Sequence, residues 1–196
     1  MSRRRIDDVM NRDECLQQLL SERDDETVVV TTMGSVAPWA RMSDSALDFP
    51  SAGSAMSHAA DFAMGVALAQ PHRSVWCLNG DGSMLMSLGT LVTICQTPAP
   101  NLVLFVLQND TFEVTGNQPI PGAGKIDLPR MAKAAGFPQV HEFDRPDRLA
   151  EELSAVLART GPIFVNLRIE SGTEPPPKLD CSLHVPAHEL RAALAW

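Results

Sequence analysis

Two apolar runs, residues 74–78 (SVWCL) and 102–107 (LVLFVL), flank a stretch, 83–96 (SMLMSLGTLVTICQ), that reads as a helix. Runs this short and this continuously apolar read as strands buried on both faces. A strand, a helix and a second strand make the crossover unit of a parallel sheet, and the crossover returns both strand ends to the same edge. The first run ends in Gly80-Asp81-Gly82-Ser83, and the second leads into Asn109-Asp110-Thr111. Asp81 and Asn109 are therefore expected to meet in space although they lie far apart in the chain.

The rest of the chain repeats the alternation. Residues 11–22 read as a helix with Asn11 as N-cap, and 28–32 (VVVTT) as a strand that turns at Gly34-Ser35. Residues 42–51 read as loop, and a helix is expected from about 56 to 70, stopped by Pro71. After the central unit, 110–127 is irregular and rich in Gly, Pro and Thr, a length of loop that is usually functional. A short helix near 128–136, a strand at 139–143, a helix at 146–159 and a strand at 163–169 follow. The pattern predicts an α/β fold, a three-layer sandwich around a mostly parallel sheet. Ligands of such sheets sit beyond the carboxyl ends of the strands, where Gly34, Asp81 and Asn109 all fall. Residues 1–170 are expected to form this domain. Residues 171–196 hold the stiff spacer Pro175-Pro176-Pro177 and a short amphipathic helix from Pro186, able to cap its own domain or another subunit.

The 196 residues suffice for one domain with a real core, and 44% apolar content is ordinary for a globular protein. A net charge of -8 excludes a nucleic-acid partner, which would demand a basic face. No apolar stretch is long enough to span a membrane, and no secretory signal precedes the domain. The four cysteines form no C-x-x-C pair, and the histidines show no zinc spacing. A reduced, cytoplasmic setting is the simplest expectation.

The residues at the strand ends suit a particular chemistry. Magnesium takes an octahedral shell of hard oxygen ligands and shares it readily with phosphate groups. Asp81 offers a carboxylate and Asn109 an amide oxygen, and the following loop can turn the Thr111 carbonyl inward. Gly82 and Ser83 open a helix, whose free N–H groups favour a diphosphate. A plain turn followed by an ordinary loop is the competing reading of the same residues.

The arrangement resembles the GDG-x(n)-N motif of the thiamine-diphosphate-dependent enzymes. The resemblance implies that Asp81, Asn109 and the Thr111 carbonyl hold Mg2+, and that Gly80, Gly82 and Ser83 cradle the diphosphate. Gly34-Ser35 resembles the turn that helps hold the diphosphate in this family, and reads equally as a simple strand-to-helix turn. Ser54-Ala55-Met56-Ser57-His58 is similar to the family's G-S-M-G-H segment, with Ser54 and Ser57 in place of glycines. The resemblance puts Met56 under the bend of the cofactor, gives the Ser54 carbonyl to its amino group, and turns His58 toward the substrate. By itself Met56 reads as a core methionine. Thr115-Gly116-Asn117-Gln118-Pro119 resembles the T-G-G-Q-P loop of the sulfopyruvate and phosphonopyruvate decarboxylases, whose beta subunits are chains of this size. Asn117 replaces a glycine there, and Asn117 and Gln118 are candidates for contact with cofactor phosphate or substrate.

What the resemblance implies is half of an active site. The family needs a second, pyrimidine-binding domain that supplies an activating glutamate, and the motifs here all belong to the diphosphate half. The expectation is a beta subunit of a 2-oxo-acid decarboxylase. Its alpha partner would supply the activating Glu, in an α2β2 assembly or a multiple of it. A component of another split thiamine enzyme, acetolactate-synthase-like or an oxoacid dehydrogenase, is the alternative. A non-catalytic module of the same fold is a third reading.

Overall fold

A six-stranded sheet in the order β2-β1-β3-β4-β8-β7 forms the middle layer, in a computed structural model that describes residues 9–51, 57–97, 99–172 and 184–194. Its strands are β1 (Val28–Thr31), β2 (Asp48–Pro50), β3 (Val75–Gly80), β4 (Leu102–Gln108), β7 (Gln139–Phe143) and β8 (Ile163–Arg168). Every pairing in it is parallel. A separate two-stranded antiparallel pair joins β5 (Thr111–Phe112) to β6 (Gln118–Pro119). The helices are α1 (Arg12–Ser21), α2 (Val36–Met42), α3 (Ala59–Ala69), α4 (Asp81–Met86), α5 (Thr90–Gln96), α6 (Leu128–Ala135), α7 (Pro146–Leu157) and α8 (His184–Ala193).

The alternation of side chains along each central strand divides the core in two. Val30, Cys77, Leu104 and Phe164 point to one face, where they pack with Ala63 of α3, Ile94 of α5 and Ala132 of α6. Val29, Trp76, Phe105 and Val165 point to the other, against Leu16 of α1, Trp39 of α2 and Leu153 of α7. Strands covered on both faces must be apolar throughout, which is why β4 reads LVLFVLQ with every residue buried. The expected three-layer sandwich is what forms.

Local chemistry sets the helix ends. The Asn11 side chain accepts from the Asp13 and Glu14 N–H groups at 3.0 and 3.1 Å and so caps α1. Asp127 caps α6 through the Arg130 N–H, and Gly136 ends that helix at a φ of 110°.

Several elements differ from the sequence reading, among them α2 and the β5–β6 pair, which have no counterpart in it. The expected single helix over 83–96 is two helices, α4 and α5, interrupted between Ser87 and Gly89. The Ser87 hydroxyl donates to the Ser57 carbonyl, which ties the break to the approach of α3. Residues 42–51 are not all loop. Asp48–Pro50 pairs with β1 as an edge strand, where a proline is tolerated. The last helix begins at His184 and carries Pro186 in its first turn. It covers its own domain: Leu190 is buried in the α3 side of the core, and Ala193 and Leu194 pack against it.

Cys15 and Cys77 are buried, and burial pushes the Cys15 thiol up to about 12 and raises Cys77 as well. Both are therefore inert core residues.

Candidate functional site

The sheet opens a crevice at one place. The chain leaves β1 into α2, on one face of the sheet, and leaves β3 into α4 and α5, on the opposite face. Neighbouring strands whose connections part in this way leave a gap at their carboxyl ends. A cavity of about 290 Å³ fills that gap, lined by the turns after β1, β3 and β4. Gly34, Ser35, Gly80, Asp81, Gly82, Ser83, Asn109 and Thr111 all border it.

Asp81 is the first residue of α4 and is only 2% exposed. One carboxylate oxygen accepts from the Gly82 N–H and the other from the Asp110 N–H, both at 2.7 Å. The carboxylate therefore joins the end of β3 to the end of β4, and the expected meeting of the two motifs is realised. Burial raises its pKa to about 6, against the opposing effect of the backbone N–H groups. A buried carboxylate that resists ionisation is one whose charge a bound cation would favour.

Two backbone features shape the approach. A Cβ on Gly82 would lie 2.7 Å from the Phe112 ring, so the second glycine of the motif lets the β5 loop close over the turn. Asp110 adopts a φ of 61°, in the left-handed region that a short polar side chain tolerates. Met33, at the end of β1, also sits at a positive φ, 51°, and lines the cavity. Strain of this kind collects at functional sites.

Asn109 is held at both ends of its amide. Its Oδ1 accepts from the Thr111 N–H at 3.0 Å, and its Nδ2 donates to Glu113 Oε2 at 2.8 Å. Glu113 is in turn paired with Arg12 at 2.5 Å and accepts from the Gly172 N–H at 3.1 Å. Arg12, Asp81 and Glu113 are the charged residues of the cavity wall. Neither Arg12 nor Glu113 stands out in the sequence. Arg12 opens an ordinary surface-type helix, and Glu113 is one acid in an irregular loop. Only a charge placed between two motifs, in a segment otherwise nearly neutral, marks Glu113 at all.

Other predicted residues fall differently. Ser54 and Met56 lie outside the described residues. His58 precedes α3 and does not line the cavity. Its Nδ1 lies 2.8 Å from Asp61, whose other oxygen accepts from the Thr90 hydroxyl at 2.7 Å. The Ser35 hydroxyl lies 2.8 Å from the Leu78 carbonyl and 2.8 Å from that of Thr32, so it braces the β1 turn against β3. Asn117 is exposed and away from the cavity wall, accepting from the Thr111 hydroxyl at 2.9 Å and donating to the Gly172 carbonyl at 2.8 Å. Its φ of 60° is one that asparagine accepts in place of glycine, so the substitution in the loop keeps its backbone. Gln118 is engaged with Thr115 through both ends of its amide.

The oxygen ligands at the cavity are the buried Asp81 carboxylate and the Asn109 amide oxygen, and no cysteine or histidine is among the residues that line it. They fit a hard divalent cation, which would complete its shell from a diphosphate. A cluster of three or more His, Cys, Asp or Glu does not occur among the described residues.

Residues 31–167 match the family described as "Thiamine pyrophosphate enzyme, C-terminal TPP binding domain". The sulfopyruvate decarboxylase subunit beta of Methanothermobacter thermautotrophicus is 32% identical over 174 residues, covering 88% of this chain and 89% of that protein. The phosphonopyruvate decarboxylase of Streptomyces viridochromogenes is 38% identical over 159 residues, 81% of this chain. The chain spans 39% of that longer relative. Among solved structures, the benzoylformate decarboxylase of Polynucleobacter necessarius superposes with a TM-score of 0.73 at 20% identity, covering 89% of this chain and 36% of that one. That likeness is one of fold. With the family match spanning the central sheet and its cavity, the chain belongs to the thiamine pyrophosphate enzymes and carries their TPP binding domain.

Proposed function

We propose that the chain is the diphosphate-binding beta subunit of a split, Mg2+-dependent 2-oxo-acid decarboxylase, a carbon–carbon lyase acting on a sulfonated or phosphonated pyruvate. The observation that carries this reading is the Asp81 carboxylate drawn against the backbone after Asn109, at the mouth of a cavity between switch-point turns. The names of the relatives, sulfopyruvate and phosphonopyruvate decarboxylases, support the substrate class.

In this reading Asp81, the Asn109 amide oxygen and the Thr111 carbonyl hold the cation, and Gly34, Gly80 and Ser83 face the diphosphate. Gly80 suits the role because a Cβ there would meet nothing within 4 Å, which leaves bare backbone toward the cavity. Thiamine diphosphate, when bound, supplies the carbon that attacks the 2-oxo group and takes up the electron pair released with carbon dioxide. The Phe112 ring, packed on Gly82, and Met86, at the rim, bound that end of the cavity. Met56, the Ser54 carbonyl and His58 keep the roles that the resemblance gives them. Asn117 braces the loop instead of touching the cofactor.

The pyrimidine-binding alpha subunit, with its activating Glu, is the inferred partner, in an α2β2 assembly or a multiple. The setting is cytoplasmic. No helix among the described residues is long and apolar enough to cross a membrane.

The test is a panel of 2-oxo acids, sulfopyruvate and phosphonopyruvate among them, assayed for carbon dioxide with this chain alone and with its co-expressed partner. The expected result is no turnover by the chain alone. With the partner, carbon dioxide is released without an electron acceptor. Turnover by the chain alone would refute the split site, and dependence on an acceptor would make the enzyme a dehydrogenase component.

A further inference from the structure

Resting on the magnesium-diphosphate reading of the cavity, we propose that Glu113, clamped by Arg12, is the positioning residue that decides which end of the Asn109 amide faces the cation. An amide has nearly the same shape either way round. Turned one way, Asn109 offers an oxygen to a metal. Turned the other, it offers N–H groups, which repel one. A site that relies on an asparagine oxygen therefore needs something to choose the rotamer.

Glu113 makes the choice because a carboxylate can only accept. Its Oε2 lies 2.8 Å from Asn109 Nδ2, so the flipped amide would set oxygen against oxygen. The Thr111 N–H, 3.0 Å from Oδ1, favours the same orientation from the other end. Glu113 is itself fixed. Arg12 holds Oε1 at 2.5 Å, and the Gly172 N–H reaches Oε2 at 3.1 Å. The Glu113 and Arg12 side chains are only 8% and 12% exposed. The pairing also resolves an electrostatic conflict. An unpaired second carboxylate beside a diphosphate would oppose binding, and the Arg12 guanidinium cancels it. The contact joins the start of α1, the loop after β4 and the segment after β8, so residues scattered along the whole chain converge on one amide. Groups that orient a metal ligand in this way typically govern affinity by about 10- to 100-fold.

The experiment exchanges the two groups. Metal affinity of the full chain is read from Mn2+ paramagnetic resonance in the presence of thiamine diphosphate, for wild type, Glu113→Gln, Asn109→Asp and the double variant. Far-UV circular dichroism and the melting temperature report on the fold. In Glu113→Gln the amide can no longer be fixed by charge, and affinity falls by about 10-fold. Asn109→Asp sets two carboxylates against each other and also loses affinity. The double variant restores one hydrogen bond of reversed polarity with the same total charge, and it is expected to bind Mn2+ more tightly than either single variant. Losses that merely add in the double variant, or a Glu113→Gln chain that binds as wild type does, would overturn the positioning role. A wild-type chain that binds no Mn2+ would instead overturn the metal reading on which this inference rests, and the inference with it.

Discussion

Asp81→Ala lowers the affinity of the chain for thiamine diphosphate in the presence of magnesium by two orders of magnitude or more. Loss of an orienting group costs roughly 10- to 100-fold, and in the proposed site Asp81 is the carboxylate that would touch the cation itself. The change leaves the Gly82 and Asp110 N–H groups without their acceptor, but Gly82 lines the cavity and Asp110 is only partly buried, so water can reach both. The fold is therefore expected to survive, with a melting temperature within a few degrees of wild type. Asp81→Asn is the companion variant. It keeps one acceptor and the volume, but loses the charge. Calorimetric titration measures both. Retained affinity in both would show that the cofactor, if bound, uses other groups.

The metal-free chain is expected to lose stability relative to Asp81→Asn as the pH rises from about 4 to 7. The carboxyl has a pKa of about 6 in the folded chain and 3.8 in the unfolded one. Below both values each state holds the proton, and the group contributes nothing to the difference. Between them the unfolded chain ionises while the folded chain retains its proton, so raising the pH favours unfolding. The effect is complete once the pH passes the folded value. Two pKa units correspond to on the order of 3 kcal/mol. Urea unfolding of the two proteins at a series of pH values gives the difference directly. Saturating magnesium and thiamine diphosphate should remove the trend, because a cation favours the ionised form. Parallel curves for the two proteins would show that Asp81 titrates as an ordinary exposed carboxyl. In the proposed site the buried, reluctant charge is the cost of keeping a ligand ready for the cation.

The parts of this architecture that show in the sequence are those imposed by local chemistry. Strands β3 and β4 read directly because burial on both faces leaves room only for apolar residues. Asn11 declares the start of α1 because nothing else satisfies the first N–H groups as cheaply. Asp81 and Asn109 are legible because a crossover forces their strand ends together. Edge strand β2 reads as loop because a short edge pairing asks for no apolar pattern, and Pro50 argues against a strand. The interruption between α4 and α5 is hidden because Ser87 and Gly89 are tolerated in many helices. At the break the Ser87 hydroxyl meets the Ser57 carbonyl, a contact that no local pattern reveals. Arg12 and Glu113 illustrate the same limit at the site. Their ion pair spans most of the chain, and no spacing rule links them. The C-terminal helix, whose sequence suits either of two uses, lies on its own domain because Leu190 finds the α3 side of the core.

The central claim is that the cavity between the β1, β3 and β4 turns is a magnesium-diphosphate site. Titration of the full chain with thiamine diphosphate, once with saturating magnesium and once with the metal chelated, tests it most directly. Saturable binding that requires magnesium and vanishes in Asp81→Ala is the predicted result. Binding of equal strength in the chelated sample, or none in either, would contradict the claim.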